Sequence, residues 1–231
     1  MMRSLLRLRF HVLGALQANV LGTVVAWVAF GGAAYAQVGA SAPPSRGYVE
    51  GVAQSAFGSV TSQSFGAELG ASIGPNLQLF VEGGQIRDAA TSQISTGATE
   101  IALALTALQP SAVTYSVKEP VSFGVAGLRY LFPTSSRVQP YVLAGAGVAR
   151  VKKDVRFQLD GSDAASALPQ YVTFGSDLSG TPVKGMMSLG GGAVWAAWQK
   201  LIVDFQYRYG RIFDDPGINS NRAGVGVGVR F

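Results

Sequence analysis

The stretch Leu201-Ile-Val-Asp-Phe-Gln-Tyr-Arg-Tyr209 alternates residue by residue between two sets, and this alternation constrains the fold more than any other feature. One parity reads Leu201, Val203, Phe205, Tyr207 and Tyr209; the other reads Ile202, Asp204, Gln206 and Arg208. A period of two sends the sets to opposite faces of a sheet. The last segment repeats the logic, with Ala223, Val225, Val227, Val229 and Phe231 against Arg222, Gly224, Gly226, Gly228 and Arg230. In water the apolar face would pack on a second layer and the polar face would be richly charged. Here the second face is mostly glycine and small residues with isolated charges, which suits a tightly curved wall around a crowded interior. The first face is aliphatic mid-strand and aromatic towards its ends, as a lipid-facing wall with aromatic girdles would be. Lipid is the better solvent for this sheet.

Composition narrows the choice further. Charged residues make up 13% of the 231, where soluble domains carry roughly 25%. Aromatics at 10% exclude a disordered chain, and 30 glycines argue against a helical bundle. With no cysteine, disulfides, thiolate zinc sites and Cys nucleophiles are all excluded. The net charge of +5 is partly a matter of position. Arg3, Arg7 and Arg9 precede an apolar run through Val20–Phe30, and Ala34-Tyr-Ala36 supplies small residues at a cleavage site. Basic, apolar and A-x-A regions in that order read as a secretory signal peptide over residues 1–36, cut after Ala36. Its loss leaves 18 less 3, or 15, basic residues against 13 acidic, so the mature charge is +2 and no nucleic-acid partner is expected.

A polar linker over 37–46 leads into a domain at 47–231. Strands are expected at about Gly47–Gly58, Ser64–Ile73, Leu77–Arg87, Val121–Phe132, Pro140–Lys153, Val183–Ala196, Leu201–Phe213 and Asn221–Phe231. Each reaches the roughly 9–11 residues that a tilted membrane strand needs. Short turns alternate with generally longer loops, the longest at about 88–120 and 154–182. The pattern predicts an all-β fold: a closed eight-stranded antiparallel up-and-down transmembrane β-barrel with periplasmic turns and extracellular loops. Within the first long loop, Ile101, Leu105 and Leu108 at helical spacing predict a short helix over Ala98–Leu108, lying across the rim.

Four stretches, Gly127-Leu-Arg-Tyr-Leu-Phe-Pro133, Pro140-Tyr-Val-Leu-Ala-Gly-Ala-Gly-Val148, Gln206-Tyr-Arg-Tyr-Gly-Arg-Ile-Phe213 and Gly226-Val-Gly-Val-Arg-Phe231, resemble the small eight-stranded OmpA-type outer-membrane β-barrels of Gram-negative bacteria. The resemblance covers essentially the whole mature chain. It implies export to the outer membrane, and contact there with outer-membrane lipid and lipopolysaccharide. It also implies passage through periplasmic chaperones and the barrel-assembly machinery, with Phe231 as the assembly signal. Nothing follows Phe231, so no peptidoglycan-binding domain is expected.

Catalysis has little to work with. His11 is the only histidine and lies in the expected signal peptide, so neither a Ser-His nor a Cys-His nucleophile can be built in the mature chain. Asp160-Gly-Ser-Asp163 lacks the later Glu and the oxygen ladder of a calcium loop. No enzyme, cofactor or metal is expected.

Strand parity collects Glu50, Glu68, Glu82, Arg129, Arg150, Asp204, Arg208, Arg222 and Arg230 in the lumen. An eight-stranded barrel is just wide enough for side chains to fill, and charges sealed there must pair. A charged plug is therefore expected. Arg230 should neighbour Glu50 across the seam, and Glu68 and Glu82 should need Arg129 or Arg208 between them. At the outer end Lys152, Lys153, Arg156, Lys184 and Arg211, close to Arg150, form a candidate lipopolysaccharide-contact rim. The role expected is structural or interactive, through the long loops and an extracellular ligand, for a monomer. A narrow porin-like channel for ions or small solutes is the rival reading, and a His-free lipid-modifying enzyme a third.

Overall fold

A computed structural model describes residues 46–108, 113–159, 162–163, 180–215 and 217–231. The expected signal peptide, most of the linker and the start of the Asp160–Asp163 stretch lie outside these residues.

Eight strands close on themselves: β1 (Gly47–Phe57), β2 (Thr61–Ser72), β3 (Leu77–Ile86), β5 (Val121–Leu131), β6 (Val138–Val151), β9 (Val183–Ala196), β10 (Leu201–Ile212) and β11 (Ile218–Arg230). Each pairs antiparallel with its neighbour, and β1 meets β11 at the seam with Tyr48 opposite Arg230 and Phe57 opposite Asn221. The outer parity reads as the alternation predicts. Phe205, Val225, Val227 and Val229 are exposed mid-wall, and Tyr130, Phe132, Trp195, Trp198 and Phe231 gather at the short-turn end. Phe57, Tyr207 and Phe213 mark the other end. Bare aliphatic side chains at this density fit hydrocarbon and not water.

The two long loops do more than the sequence led us to expect. The helix starts earlier, running over Ser92–Leu108 (α1), with Thr91 receiving the N–H of Ile94 on its hydroxyl at 3.5 Å. Beyond it, β4 (Val113–Lys118), β7 (Asp154–Leu159) and β8 (Ser162–Asp163) form a separate three-stranded sheet. Ala98, Ala102 and Leu105 of α1 bury against Phe157, flanked by Val113, Val117 and Val155. The loops thus build a small two-layer cap with its own apolar core.

Candidate functional site: the lumen and the outer mouth

Seven charged side chains meet inside the barrel, all almost completely buried: Glu50, Glu68, Glu82, Arg129, Asp204, Arg208 and Arg222. Glu68 is the hub. Its carboxylate accepts from Arg208 Nη2 at 2.6 Å, from Arg129 Nη1 at 3.5 Å and from the Tyr48 hydroxyl. Arg129 reaches on to Asp204, which also accepts from the Tyr141 hydroxyl at 2.8 Å. The Arg129 guanidinium lies over the Tyr141 ring, 3.6 Å from its centroid, so the ring face shares its charge. Glu82 takes Arg222 Nη1 at 2.7 Å, and Arg222 stands over the Phe123 ring at 4.3 Å. Gln54 and Gln206 link the two halves through a 3.1 Å bond.

Among the described residues, Glu50 is the lumen carboxylate without a guanidinium on it. It accepts only from Gln206 Nε2, at 3.4 Å, and its Oε2 has no partner among the described residues.

Glycine makes this crowding feasible. A Cβ at Gly70 would fall 1.9 Å from the Tyr48 ring, and one at Gly190 would fall 2.4 Å from the Tyr207 carbonyl.

Two expectations need correction. Arg150 is exposed and does not reach the lumen: in β6 the inward parity belongs to Tyr141, Leu143, Ala149 and Val151, so Arg150 points outward where water can hold its charge. Arg230 is on the inward parity but faces Tyr48, because Gly228 stands opposite Glu50. Its Nε donates to the Gln199 carbonyl at 2.9 Å, in the half-exposed turn end, instead of pairing across the seam.

Above the charges comes a layer that the sequence reading missed. Ala56, Ile86, Val121, Ala149, Val151, Met186, Ile212 and Ile218 all point inward at the outer strand ends and are buried in one apolar cluster. This collar closes the lumen towards the cap. In β1, β3, β5, β10 and β11 these residues share the parity of the charged ones; in β6, Ala149 and Val151 lie on the parity opposite to Arg150.

The rim residues separate into two groups. Lys184 and Lys153 turn into the mouth onto Asp214, at 2.9 and 3.9 Å. Lys152 and Arg156 flank Asp154 on the exposed side, and Arg211 lies along the outer wall, donating to Asn219 at 2.7 Å. The hydrogen bond from Arg156 holds the Asp154 carboxyl below its ordinary value. Burial pushes against ionisation of Asp214, yet the bonds from Lys184 and the Asp215 N–H and the Lys153 charge keep it below the ordinary value too. Glu119 anchors the cap: its carboxylate accepts the Thr91 N–H at 2.8 Å, and its own N–H donates to Asp88 at 3.0 Å. Burial raises the Glu119 carboxyl above its usual range despite that bond and the nearby Lys153 charge.

Comparison with known proteins places this geometry. Neisserial surface protein A aligns with a TM-score of 0.50 at 18% identity, over 80% of this chain and 96% of that one. The N-terminal β-barrel domain of Pseudomonas aeruginosa OprF aligns at 0.45 and 15%, over 80% and 97%. Ail, the attachment invasion locus protein of Yersinia pestis, aligns at 0.44 and 13%, over 80% and 96%. At such identities the likeness to Neisserial surface protein A speaks for the fold alone. No curated protein matches by sequence. The family profile described as "Outer membrane protein beta-barrel domain" matches residues 23–231. The chain therefore belongs to the outer-membrane β-barrel domain family, of OmpA type, and resides in the outer membrane.

Proposed function

We propose that this protein is a closed, non-conducting outer-membrane barrel whose role is carried by the cap at the cell surface, and that it is not an enzyme. The carrying observation is the double closure of the lumen: a hydrogen-bonded charged layer around Glu68 and, above it, the apolar collar of Ile86, Val121, Val151, Ile212 and Ile218. A water column must cross both. Apolar constrictions resist wetting, and buried guanidinium–carboxylate pairs resist separation once formed. This favours a plug over the narrow porin-like channel. Two loops that fold into a cap with its own core are what an interaction surface requires. Outward Arg150, Lys152 and Arg211, with Arg156 above them, support contact with lipopolysaccharide phosphates.

In this reading residues 1–36 are removed on export, and Phe231 is read by the assembly machinery. Planar-bilayer recording of the purified protein tests the proposal. Near-zero conductance is expected, and stable voltage-independent openings would overturn it.

A further inference from the structure

Between the first turns of α1 and the β10–β11 loop, the outer mouth is hollowed by a cleft of about 470 Å³. Buried Ile94 and Ile218 line it, and Ile218 also belongs to the collar beneath. Glu100, Glu119, Asp214 and Asp215 line it as well, against Lys153. Two of these carboxylates are engaged, Asp214 by Lys184 and Lys153 and Glu119 by the Thr91 N–H. Glu100 and Asp215 have no cation against them among the described residues.

Lys153 is the complementary case. Its side chain is only 9% exposed, and its nearest carboxylate oxygen, on Asp214, is 3.9 Å away. No acceptor within the described residues stands within hydrogen-bond distance of that ammonium. An ammonium carries three donors, and with its stem buried Lys153 offers them to whatever fills the cleft it lines.

These features call for different parts of one ligand. A simple anion would satisfy Lys153 but meet an excess of carboxylates. A plain diamine would satisfy Glu100 and Asp215 but leave Lys153 without an acceptor. A neutral sugar would do the reverse. We propose that the cleft binds a small polyhydroxylated amine of the amino-sugar class. The amine pairs with Glu100 and Asp215, a ring hydroxyl accepts from Lys153, and the apolar face of the ring rests on Ile94 and Ile218. The volume lies within the range of small-molecule sites. This inference rests on the reading of the cap as an interaction surface and names a ligand class for it.

The test is an NMR titration of the full mature barrel in lipid nanodiscs, with glucosamine, N-acetylglucosamine, glucose and putrescine as separate probes. Glucosamine should shift the amides of Thr91–Gly97 and Asp214–Asp215 saturably. N-acetylglucosamine keeps the hydroxyls but loses the charge, and should bind about tenfold more weakly or less, as should glucose and putrescine. The double variant Glu100→Gln/Asp215→Asn should weaken glucosamine by at least about tenfold while barrel amides stay in place, since both residues are exposed. Non-saturable glucosamine shifts, equal binding of glucosamine and N-acetylglucosamine, or unchanged affinity in the double variant would each overturn the proposal. Putrescine binding as tightly as glucosamine would overturn the hydroxyl assignment and leave a polyamine site. Recording conductance from the same preparation keeps the two readings separate, because a conducting barrel refutes the closed-barrel role whatever the sugars do.

Discussion

Glu68 and Glu82 stand directly opposite one another on β2 and β3, yet each carboxylate turns to a different arginine, Glu68 to Arg208 and Glu82 to Arg222. Both arginines come from the strands β10 and β11, which are themselves paired at Arg208 and Arg222. Two like charges side by side on one wall thus face two like charges side by side on the other. Repulsion along each wall is relieved by attraction across the lumen.

Removing the hub should therefore cost most. Glu68→Gln leaves Arg208 without its carboxylate and Arg129 with Asp204 alone, and a loss of about 3–5 kcal/mol is expected. Urea unfolding in micelles would read it. The double variant Glu68→Met/Arg208→Met should lose less than the two single changes added together, because no charge is left alone.

Glu50→Gln should behave in the opposite way. This carboxylate is buried without a guanidinium partner, and its neutral isostere keeps the bond to Gln206. Stability equal to the wild type, or higher by about 1 kcal/mol, is expected in the same unfolding assay. A loss like that of Glu68→Gln would show that Glu50 is held by a partner after all.

The two closures should act in series. Glu82→Ala removes one pair from the charged layer but leaves the collar, so conductance should rise little. Ile212→Ser/Val151→Ser wets the collar but leaves the charges. Combining all three changes should give measurable openings in planar bilayers, and a large current from either layer alone would show that only one of them closes the lumen.

Acid should reach the two cap carboxyls at different pH, Glu119 early and Asp214 late. The carboxyl of Asp214 lies below its ordinary value, so the stability it contributes is present above the unfolded carboxylate pKa of about 3.9 and is lost as pH falls through the lowered value. Glu119 has the opposite sign. Its raised carboxyl favours the fold below the unfolded pKa, and that contribution is lost as pH rises through the folded value. By NMR, the amides of Asp214 and Asp215 should move only as pH falls below about 4, while the Thr91 amide, bound to Glu119, should move at higher pH, above the ordinary Glu range of about 4.3. Movement confined to the neutral range would refute the Asp214 assignment.

Phe157→Ala should cost the cap about 3–5 kcal/mol through a cavity against Leu105 and Ala102, and leave the barrel intact. Protease cutting within residues 92–118 without loss of the barrel's folded gel mobility would be the expected result.

Most of the barrel was legible because lipid imposes a strict alternation: seven charged lumen residues follow directly from strand parity. Arg150 went astray because at the outer strand end the environment changes from lipid to water, so a charge no longer reports which way its side chain points. The partners inside the lumen were legible only in part: Arg129 and Arg208 both reach Glu68, as expected, but Arg222 reaches Glu82 across the barrel through a curvature that no single strand encodes. The cap sheet was legible in principle. Val113, Tyr115 and Val117 alternate, as do Val155 and Phe157, but segments of six residues lie below the length of a membrane strand and read as loop.

The seam has a consequence in time. β1 finds its second neighbour only in β11, where Gly51 stands opposite Val227. Until β11 is present, both strand edges are unpaired, and no partial chain has a closed wall to offer the bilayer. Insertion therefore waits for the whole domain, and contacts of such sequence separation form slowly. Throughout that interval the aliphatic wall is exposed to water and prone to aggregate, so the period before membrane entry is when this chain most needs escorting.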